Sequence, residues 1–446
     1  MALYAFDGTS KEDEIDDNED SNIVRFARAY RGPRVYLPGV GTRFGAVGAI
    51  FGGWMGLGLH DRVSKAMKAA ERNFKRGDTI VDIIGFSRGA AAAVHFANEL
   101  WEKMGKKKGT EPAVRFLGLF DTVASTGFVP GKFDFNLDLD IPPNVRRCRH
   151  AMALDEGRGS FHLQRMKERE KNTLPADVIQ EVWFRGCHSD IGGGGQHEKL
   201  ANITLCWMMR HAAAAGVQFD ATLVAQALSG RDRLGPIKRA TFDEGLKKRK
   251  PAKTDFVHRS VVAKDLDSKP WHVNPVEGCN VIDDVGAASG IFPLDGAWPV
   301  APEPDWGAAL MPSNKLAVGA DPVLLEVFAD TEWNESPQIW LEKGATYEFK
   351  VVKGPIDWTD GSVKDTNGAN GYELEKLEPF KHMARYPKAG WFALIGAIDR
   401  DELFPIRTGC FFIPTQSGQF AAFANDALAR YENNRGQLTL SIQRVE

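Results

Sequence analysis

IIGFSRGAAAAV, at residues 83–94, joins a short apolar run directly to an alanine-rich segment of helical composition. Gly85 and Gly89 stand two residues to either side of Ser87, and a G-x-S-x-G sequence between a strand and a helix is typical of a nucleophile elbow. In that turn the backbones come too close for flanking side chains, so the serine is exposed at the carboxyl end of the strand. We therefore predict that Ser87 is a nucleophile; the alternative is a serine that only caps the helix.

Further apolar runs alternate with helical patterns up to about residue 295. Short apolar runs bounded by turn residues predict buried strands, and apolar residues at three- and four-residue steps predict helices. This alternation is typical of an α/β fold, with a mostly parallel sheet and helices on both faces. The predicted strands are 3–7, 35–39, 79–86, 114–121 and 181–186, and the predicted helices are 60–74, 88–104 and 203–215.

The chain changes character after residue 290. Prolines and tryptophans crowd residues 290–314, which is typical of a linker. The β-rich runs that follow are separated by Gly, Asn, Asp and Pro, and they predict a small antiparallel β-sandwich. We expect an α/β-hydrolase-like catalytic domain over 1–295, a linker over 296–315 and a β-sandwich domain over 316–446.

Composition excludes several classes of protein. The 446 residues leave room for two or three domains, and a net charge of −3 disfavours a general nucleic-acid binder. The five cysteines form no C-x-x-C pair, which disfavours a disulfide framework or a structural zinc site. The first residues lack a secretory signal pattern, so we expect synthesis in the cytoplasm without a signal peptide. The uncharged stretch at 44–60 is too short and too rich in glycine to span a membrane.

A serine hydroxyl becomes an effective nucleophile when a histidine takes its proton and a carboxylate orients that histidine. Asp121 ends one predicted strand and His188 follows another, at the sheet edge where open α/β folds gather catalytic groups. Their chain order, Ser87 then Asp121 then His188, is that of α/β-hydrolase triads. The rival candidates are His150, His162 and His258 among the histidines and Asp155 and Asp190 among the acids.

The loop after the first strand can supply backbone N–H groups that stabilise an oxyanion. We assign this role to Gly8 or Thr9, together with the N–H of Arg88. The segments 44–59 and 128–143 are candidates for an acyl channel or lid, although core packing or a plain connection explains them equally well. We interpret the basic run LKKRK at 246–250 as a solvated loop, with a phosphate or lipid-headgroup contact as the alternative.

A set of ordered motifs resembles the α/β-hydrolase family catalogued as domain of unknown function 2235. That family includes the first class of type VI secretion lipase effectors, which look like phospholipases A delivered into rival bacteria. The resemblance covers about residues 1–290 and implies an ester hydrolase with a triad of Ser87, Asp121 and His188. The motifs are FDGT (6–9), LPGVGTR (37–43), GFSRGA (85–90), FDTVAS (120–125), HAMALDEGRGSF (150–161), WFRGCHSDIGGG (183–194) and VHRSV (257–261).

The last stretch, FANDALARYENNRGQLTLSI at 423–442, resembles the calcium-dependent galactose-binding lectins of the small bacterial β-sandwich type. In those lectins an Asp and a following Asn-Asn pair hold calcium, and the ion chelates sugar hydroxyls. The matching positions here are Asp426, Asn433 and Asn434. Calcium takes six to eight hard oxygen ligands, which suits these residue types. The alternative is an Asn-rich hairpin that holds no metal.

These features together predict a serine-dependent lipid ester hydrolase, a phospholipase A1 or A2, that needs no cofactor for catalysis and carries a lectin-like calcium domain. The expected partners are a phospholipid substrate, the membrane surface, a glycan, the secretion apparatus and an immunity protein, with secretion by a type VI system into a target cell. The alternatives are an esterase that removes acyl groups from sugars and a sugar-binding protein with an inactive hydrolase domain.

Overall fold

The computed structural model of the chain forms two compact units, Met1–Met311 and Pro312–Glu446. Each unit has its own sheets and its own hydrophobic core. The structure describes residues 1–8, 20–39, 52–105, 113–123, 137–159, 161–171, 173–194, 198–231, 249–262, 276–284, 288–291, 306–311, 315–361, 363 and 366–446.

The first unit is built on a large, mostly parallel sheet. Its described strands are β1 (Ala2–Phe6), β2 (Arg34–Leu37), β3 (Ile80–Phe86), β4 (Ala113–Phe120), β5 (Cys148–Ala153), β6 (Ile179–Phe184), β7 (Phe219–Asp220), β8 (Phe256–His258), β9 (Asn280–Ile282), β10 (Ala288–Ile291) and β11 (Leu310–Met311). Nine of them form one sheet in the order β10-β9-β8-β6-β5-β4-β3-β1-β2. Its neighbouring strands pair in parallel except β9 with β10. The predicted α/β class is confirmed.

Helices cover both faces of this sheet. The described α-helices are α1 (Asn22–Ala29), α2 (Gly52–Lys75), α3 (Arg88–Leu100), α4 (His188–Gly192), α5 (Glu198–Ala214) and α6 (Ala221–Ser229). Alternate residues of β1 enter different cores, Leu3 the core with α1, α5 and α6, and Tyr4 the core with α2 and α3. This alternation follows from the period of two along a strand. None of the described helices is long and apolar enough to cross a bilayer.

Part of the segment predicted as a linker is ordered within the first unit. Residues 310–311 form β11, which pairs in parallel with β7. Trp306 and Leu310 pack at the border of the core that contains α5. Residues 292–305 lie outside the described residues.

The second unit is a sandwich of antiparallel sheets, which confirms the predicted C-terminal architecture. Its strands are β12 (Val323–Phe328), β13 (Asn334–Leu341), β14 (Tyr347–Asp360), β15 (Leu394–Ile398), β16 (Glu402–Pro405), β17 (Gly409–Phe412), β18 (Gly418–Ala424) and β19 (Asn434–Arg444). Within the described part of this unit, two four-stranded sheets have the orders β12-β19-β14-β17 and β13-β18-β15-β16. Side chains from both sheets, among them Phe349, Phe420 and Leu440, form one core.

We predict that a fragment of residues 312–446 folds by itself, because its main core is made entirely of side chains from that range. Urea unfolding of the purified fragment, followed by tryptophan fluorescence and far-ultraviolet circular dichroism, should give coincident cooperative transitions. A fragment that binds a hydrophobic dye and lacks a cooperative transition would contradict this prediction.

Candidate active site

Ser87 lies in a strained turn between β3 and α3. Its backbone has φ 58° and ψ −125°, a conformation that side-chain-bearing residues rarely adopt. A Cβ atom at Gly85 would lie 2.6 Å from Cα of Ala90, and one at Gly89 would lie 2.4 Å from the carbonyl oxygen of Asp7. The two glycines therefore allow the close backbone approach that the predicted elbow requires, and the turn presents Ser87 at the carboxyl end of β3.

Backbone hydrogen bonds join this elbow to the loop that carries Asp121. The amide of Ser87 donates to the carbonyl of Phe120 at 3.0 Å, and the amide of Val123 donates to the carbonyl of Ser87 at 3.3 Å. Asp121 is fully buried and has a positive φ of 40°. Ser87 and Asp121 thus lie together at the carboxyl ends of two adjacent parallel strands, β3 and β4.

His188 binds Asp121 directly. Nδ1 of His188 lies 2.6 Å from Oδ2 of Asp121. Because an ionised carboxylate only accepts hydrogen bonds, Nδ1 carries the proton and Nε2 of a neutral imidazole is left as a proton acceptor. Both side chains are buried, that of His188 with 8% and that of Asp121 with 0% exposure. This is the histidine–carboxylate arrangement of a general base.

Two aromatic rings and a backbone contact hold the imidazole beside the elbow. The ring of Phe86, the residue before Ser87, is centred 4.6 Å from the ring of His188, and the ring of Phe161 is centred 4.8 Å from it. The amide of His188 donates to Oε2 of Glu156 at 3.1 Å. The structure therefore brings Ser87, Asp121 and His188 to one place.

Arg249 is a residue of this site that the sequence reasoning missed. Its Nη1 lies 2.6 Å from Oδ1 of Asp121 and its Nη2 lies 3.2 Å from Oδ2. The Arg249 side chain is 8% exposed, so the interpretation of 246–250 as a solvated loop fails at this residue. Burial by itself raises the pKa of Asp121, but the Arg249 charge and the His188 hydrogen bond outweigh it and hold that pKa well below its usual range. Arg249 and Asp121 are 128 residues apart, so no local sequence motif indicated this contact.

The structure places the predicted oxyanion donors in different surroundings. The Gly8 amide donates to Oδ1 of Asp7 at 2.7 Å, so this N–H is already engaged and does not serve as a free donor. Thr9 lies outside the described residues. Arg88 is the first residue of α3 and directly follows Ser87, and in α/β-hydrolase elbows the amide of the residue after the nucleophile is one oxyanion donor. Of the three predicted donors, Arg88 thus has the placement that the role requires.

The rival candidates contact other groups. His150 binds Glu181 and accepts from the amide of Thr122, and His258 lies between Ser260 and Asp284. Asp155 accepts from the amide of Gly186, Asp190 accepts from the amide of Cys187, and His162 is exposed. The segments 44–59 and 128–143 were predicted as an acyl channel or lid; residues 44–51 and 128–136 lie outside the described residues, and residues 52–59 belong to α2.

The predicted calcium residues lie together in the second unit. Asp426 follows β18, Asn434 begins β19, and Asn433 donates to Oδ1 of Asp360 at 3.3 Å. In the described part of the chain, Oδ2 of Asp426 and Oδ1 of Asn434 are buried and have no hydrogen-bond partner. Burial, and then the charge of Asp360, raises the pKa of Asp426 to about 6. A cation held by oxygen ligands would satisfy these groups, so the residues fit calcium.

The sheet, the elbow and the buried His188–Asp121 pair define the first unit as a domain of the α/β-hydrolase type. Residues 3–108 and 98–211 match the model of the family described as T6SS, phospholipase effector Tle1-like, catalytic domain. This match confirms the predicted resemblance of the first unit to the type VI secretion lipase effectors.

Other comparisons also cover only part of the chain. A 76-residue segment is 34% identical to the uncharacterized protein YEL023C of Saccharomyces cerevisiae and covers 16% of this chain. An uncharacterized protein from Pseudomonas aeruginosa has a similar solved structure, with 22% identity over 49% of this chain and a TM-score of 0.37. The chain spans 11% of the yeast protein and 46% of the Pseudomonas chain.

Two further solved structures are similar to parts of the chain. The Tle1 effector, solved in complex with the VgrG spike of the type 6 secretion system, has 23% identity, covers 44% of this chain and 51% of its own, and gives a TM-score of 0.32. The N-terminal domain of EclA, a PllA-like lectin, has 14% identity, covers 28% of this chain and 98% of its own, and gives a TM-score of 0.22.

The elbow predicts a steric effect at Gly89. Gly89→Ala places a methyl group 2.4 Å from the Asp7 carbonyl oxygen, so β1 or α3 must shift. We expect the free energy of unfolding of the first unit to fall by about 2 kcal/mol, measured by urea denaturation. In the comparison variant Gly77→Ala no atom lies within 4 Å of the new Cβ, and only the positive φ of 87° costs about 1 kcal/mol. Equal losses in the two variants would contradict the steric explanation.

The raised pKa of Asp426 predicts a pH dependence of the second unit. A folded-state pKa of about 6 lies above the unfolded value, so this stabilising contribution is complete below about pH 4 and is lost as the pH rises through 6. Without calcium, we expect the fragment 312–446 to lose about 2 kcal/mol from this source between pH 4 and pH 7. Urea unfolding in a chelator measures it, and Asp426→Asn should abolish this part of the slope. An unchanged slope in that variant would refute the assignment.

Proposed function

We propose that this chain is a serine-dependent lipid ester hydrolase, a phospholipase A that acts on membrane phospholipids as an antibacterial type VI secretion effector. The observation that carries the proposal is the strained Ser87 elbow next to the buried His188–Asp121 pair. These residues lie within the region that matches the Tle1-like catalytic domain family. An α/β-hydrolase site of this kind performs acyl transfer without a cofactor.

The proposed reaction has two acyl-transfer steps. Ser87 Oγ attacks the ester carbonyl while Nε2 of His188 takes the hydroxyl proton, and Asp121 stabilises the imidazolium through Nδ1–H. The backbone amide of Arg88 contributes to stabilising the oxyanion. Collapse of the tetrahedral intermediate breaks the ester bond, and His188 returns the proton to the lysophospholipid oxygen. Water, deprotonated by His188, then attacks the acyl-serine, and His188 returns the proton to Ser87 Oγ as the fatty acid leaves.

We propose that the second unit binds a glycan through calcium. Asp426, Asn433 and Asn434 would hold the ion, and the buried oxygens of Asp426 and Asn434 that have no hydrogen-bond partner among the described residues support this assignment. Bound calcium would offer coordination sites to neighbouring sugar hydroxyls. This function would bring the hydrolase to a glycan-bearing cell surface.

The same role implies two protein partners and a destination. An effector of type VI secretion must be loaded on the secretion apparatus, and a producing cell must block an enzyme that attacks its own membranes. We therefore propose that the chain is carried by that apparatus into a target cell and that a dedicated immunity protein binds it. The family match over residues 3–211 supports this part of the proposal.

We predict that Ser87→Ala lowers phospholipid hydrolysis by at least about a thousandfold, because no other hydroxyl replaces the nucleophile. Purified wild type and variant are compared on phospholipid vesicles, with products identified by mass spectrometry. Wild type should release fatty acid and lysophospholipid, and regioisomeric substrates with two different acyl chains distinguish sn-1 from sn-2 cleavage. Equal melting temperatures of the two proteins serve as the folding control.

The same experiment separates the rival functions. A panel of acylated sugars is included, with calcium present or chelated, and retention on immobilised galactose is measured in parallel. Serine-dependent release of acyl groups from sugars alone would favour a carbohydrate esterase. If no lipid or sugar ester gives a serine-dependent product while calcium-dependent retention persists, the phospholipase proposal is wrong and the chain is a binding protein.

A further inference from the structure

Arg249 binds both carboxylate oxygens of Asp121, one of which also contacts His188. Among the described residues, Oδ1 of Asp121 accepts from Nη1 of Arg249 and from the amide of Ala153, and Oδ2 accepts from Nη2 of Arg249 and from His188. The same guanidinium donates to the carbonyl oxygens of Ala153 and Phe161, each at 2.9 Å. The guanidinium is therefore held in a fixed place by contacts to three residues.

This ion pair changes the charge balance of the resting site. Asp121 has no exposure, and a carboxylate removed from water is strongly disfavoured unless a counter-charge lies beside it. While His188 is neutral, it offers a hydrogen bond but no charge. Arg249 supplies the missing positive charge, so Asp121 stays ionised and oriented before the reaction starts.

The positive charge of Arg249 attracts ionised Asp121 but repels a positive charge on His188. An imidazolium next to Asp121 would share Oδ2 of that carboxylate with the Arg249 guanidinium, and two like charges repel at low dielectric. Two other carboxylates near His188 each have a basic partner. Glu156, which accepts from the His188 amide, is paired with Arg158, and Asp155 lies 3.6 Å from Arg185. Asp190 and the thiol of Cys187 flank it on its own segment, and Asp190 accepts from the Cys187 amide.

We propose that Arg249 is a positioning residue that sets the pH at which His188 becomes able to accept a proton. It does so through Asp121, without touching substrate. The Arg249 charge adds a repulsion to any positive charge that forms on the imidazole during proton transfer. The inference rests on the proposed triad of Ser87, Asp121 and His188.

The test uses a fluorophosphonate probe, which phosphonylates an activated serine with loss of fluoride, whatever the natural substrate is. The second-order labelling rate of the full chain is measured from about pH 5 to pH 9 for wild type, Arg249→Met and Arg249→Lys. Removal of the charge favours the protonated histidine, so the acid limb of Arg249→Met should move to higher pH by about one unit. Arg249→Lys keeps the charge and should therefore keep the acid limb of the wild-type pH profile. The plateau of the labelling rate should be lower, because lysine cannot form the bidentate hydrogen bonds of Arg249.

The labelling rates distinguish a failure of the Arg249 inference from a failure of the proposed triad. An acid limb that stays in place in Arg249→Met while only the plateau falls would show a merely structural role and overturn the inference. If Arg249→Met does not fold, by circular dichroism, Arg249→Gln removes the same charge and retains a donor, and the same shift is expected. Wild type that is not labelled, or labelling that persists in Ser87→Ala, would instead refute the triad itself.

Discussion

The architecture of the candidate site depends on the hydrogen bonds that the buried carboxylate of Asp121 accepts. Segments far apart in the chain meet there, because the Ala153 amide, His188 and Arg249 all donate to the same two oxygens. A fully buried anion requires that its hydrogen bonds be filled and its charge balanced. The carboxyl edge of the parallel sheet satisfies this requirement by bringing the ends of β4 and β5 beside α4. The elbow that carries Ser87 is attached to the same loop by backbone hydrogen bonds.

Each unit buries an aspartate, and the two aspartates have opposite surroundings. Asp121 and Asp426 are both buried aspartates near the end of a strand, the first directly after β4 and the second two residues after β18. The pKa of Asp121 is lowered because a guanidinium and an imidazole face it, whereas that of Asp426 is raised by burial and then by the charge of another carboxylate, Asp360. The first carboxylate is therefore satisfied by the protein alone. The second is left with an oxygen that a cation can satisfy.

Local sequence predicted the parts of the site that local rules govern. The elbow, the order of Ser87, Asp121 and His188, and the apolar strands β1, β3 and β4 follow from turn chemistry and hydrophobic patterning. Strand β5 has no such signal, because Arg149 and His150 interrupt its apolar pattern and are nevertheless buried through hydrogen bonds to backbone carbonyls and to Glu181. Arg249 was missed for the same kind of reason, because a contact distant in the sequence accounts for its burial. Its role comes from a partner 128 residues away, and its neighbours in the sequence are typical of a solvated loop.

The separate cores of the two units have a consequence for how this sequence can diverge. A substitution that loosens the packing around Phe349 and Leu440 is absorbed by the sandwich, and it leaves the packing around Phe96 and Tyr4 untouched. Each core is filled by side chains of its own unit, and recombination near residue 312 exchanges an entire sandwich without cutting through either core. A lineage can in this way acquire a new surface for attachment while the inherited chemistry of the sheet persists.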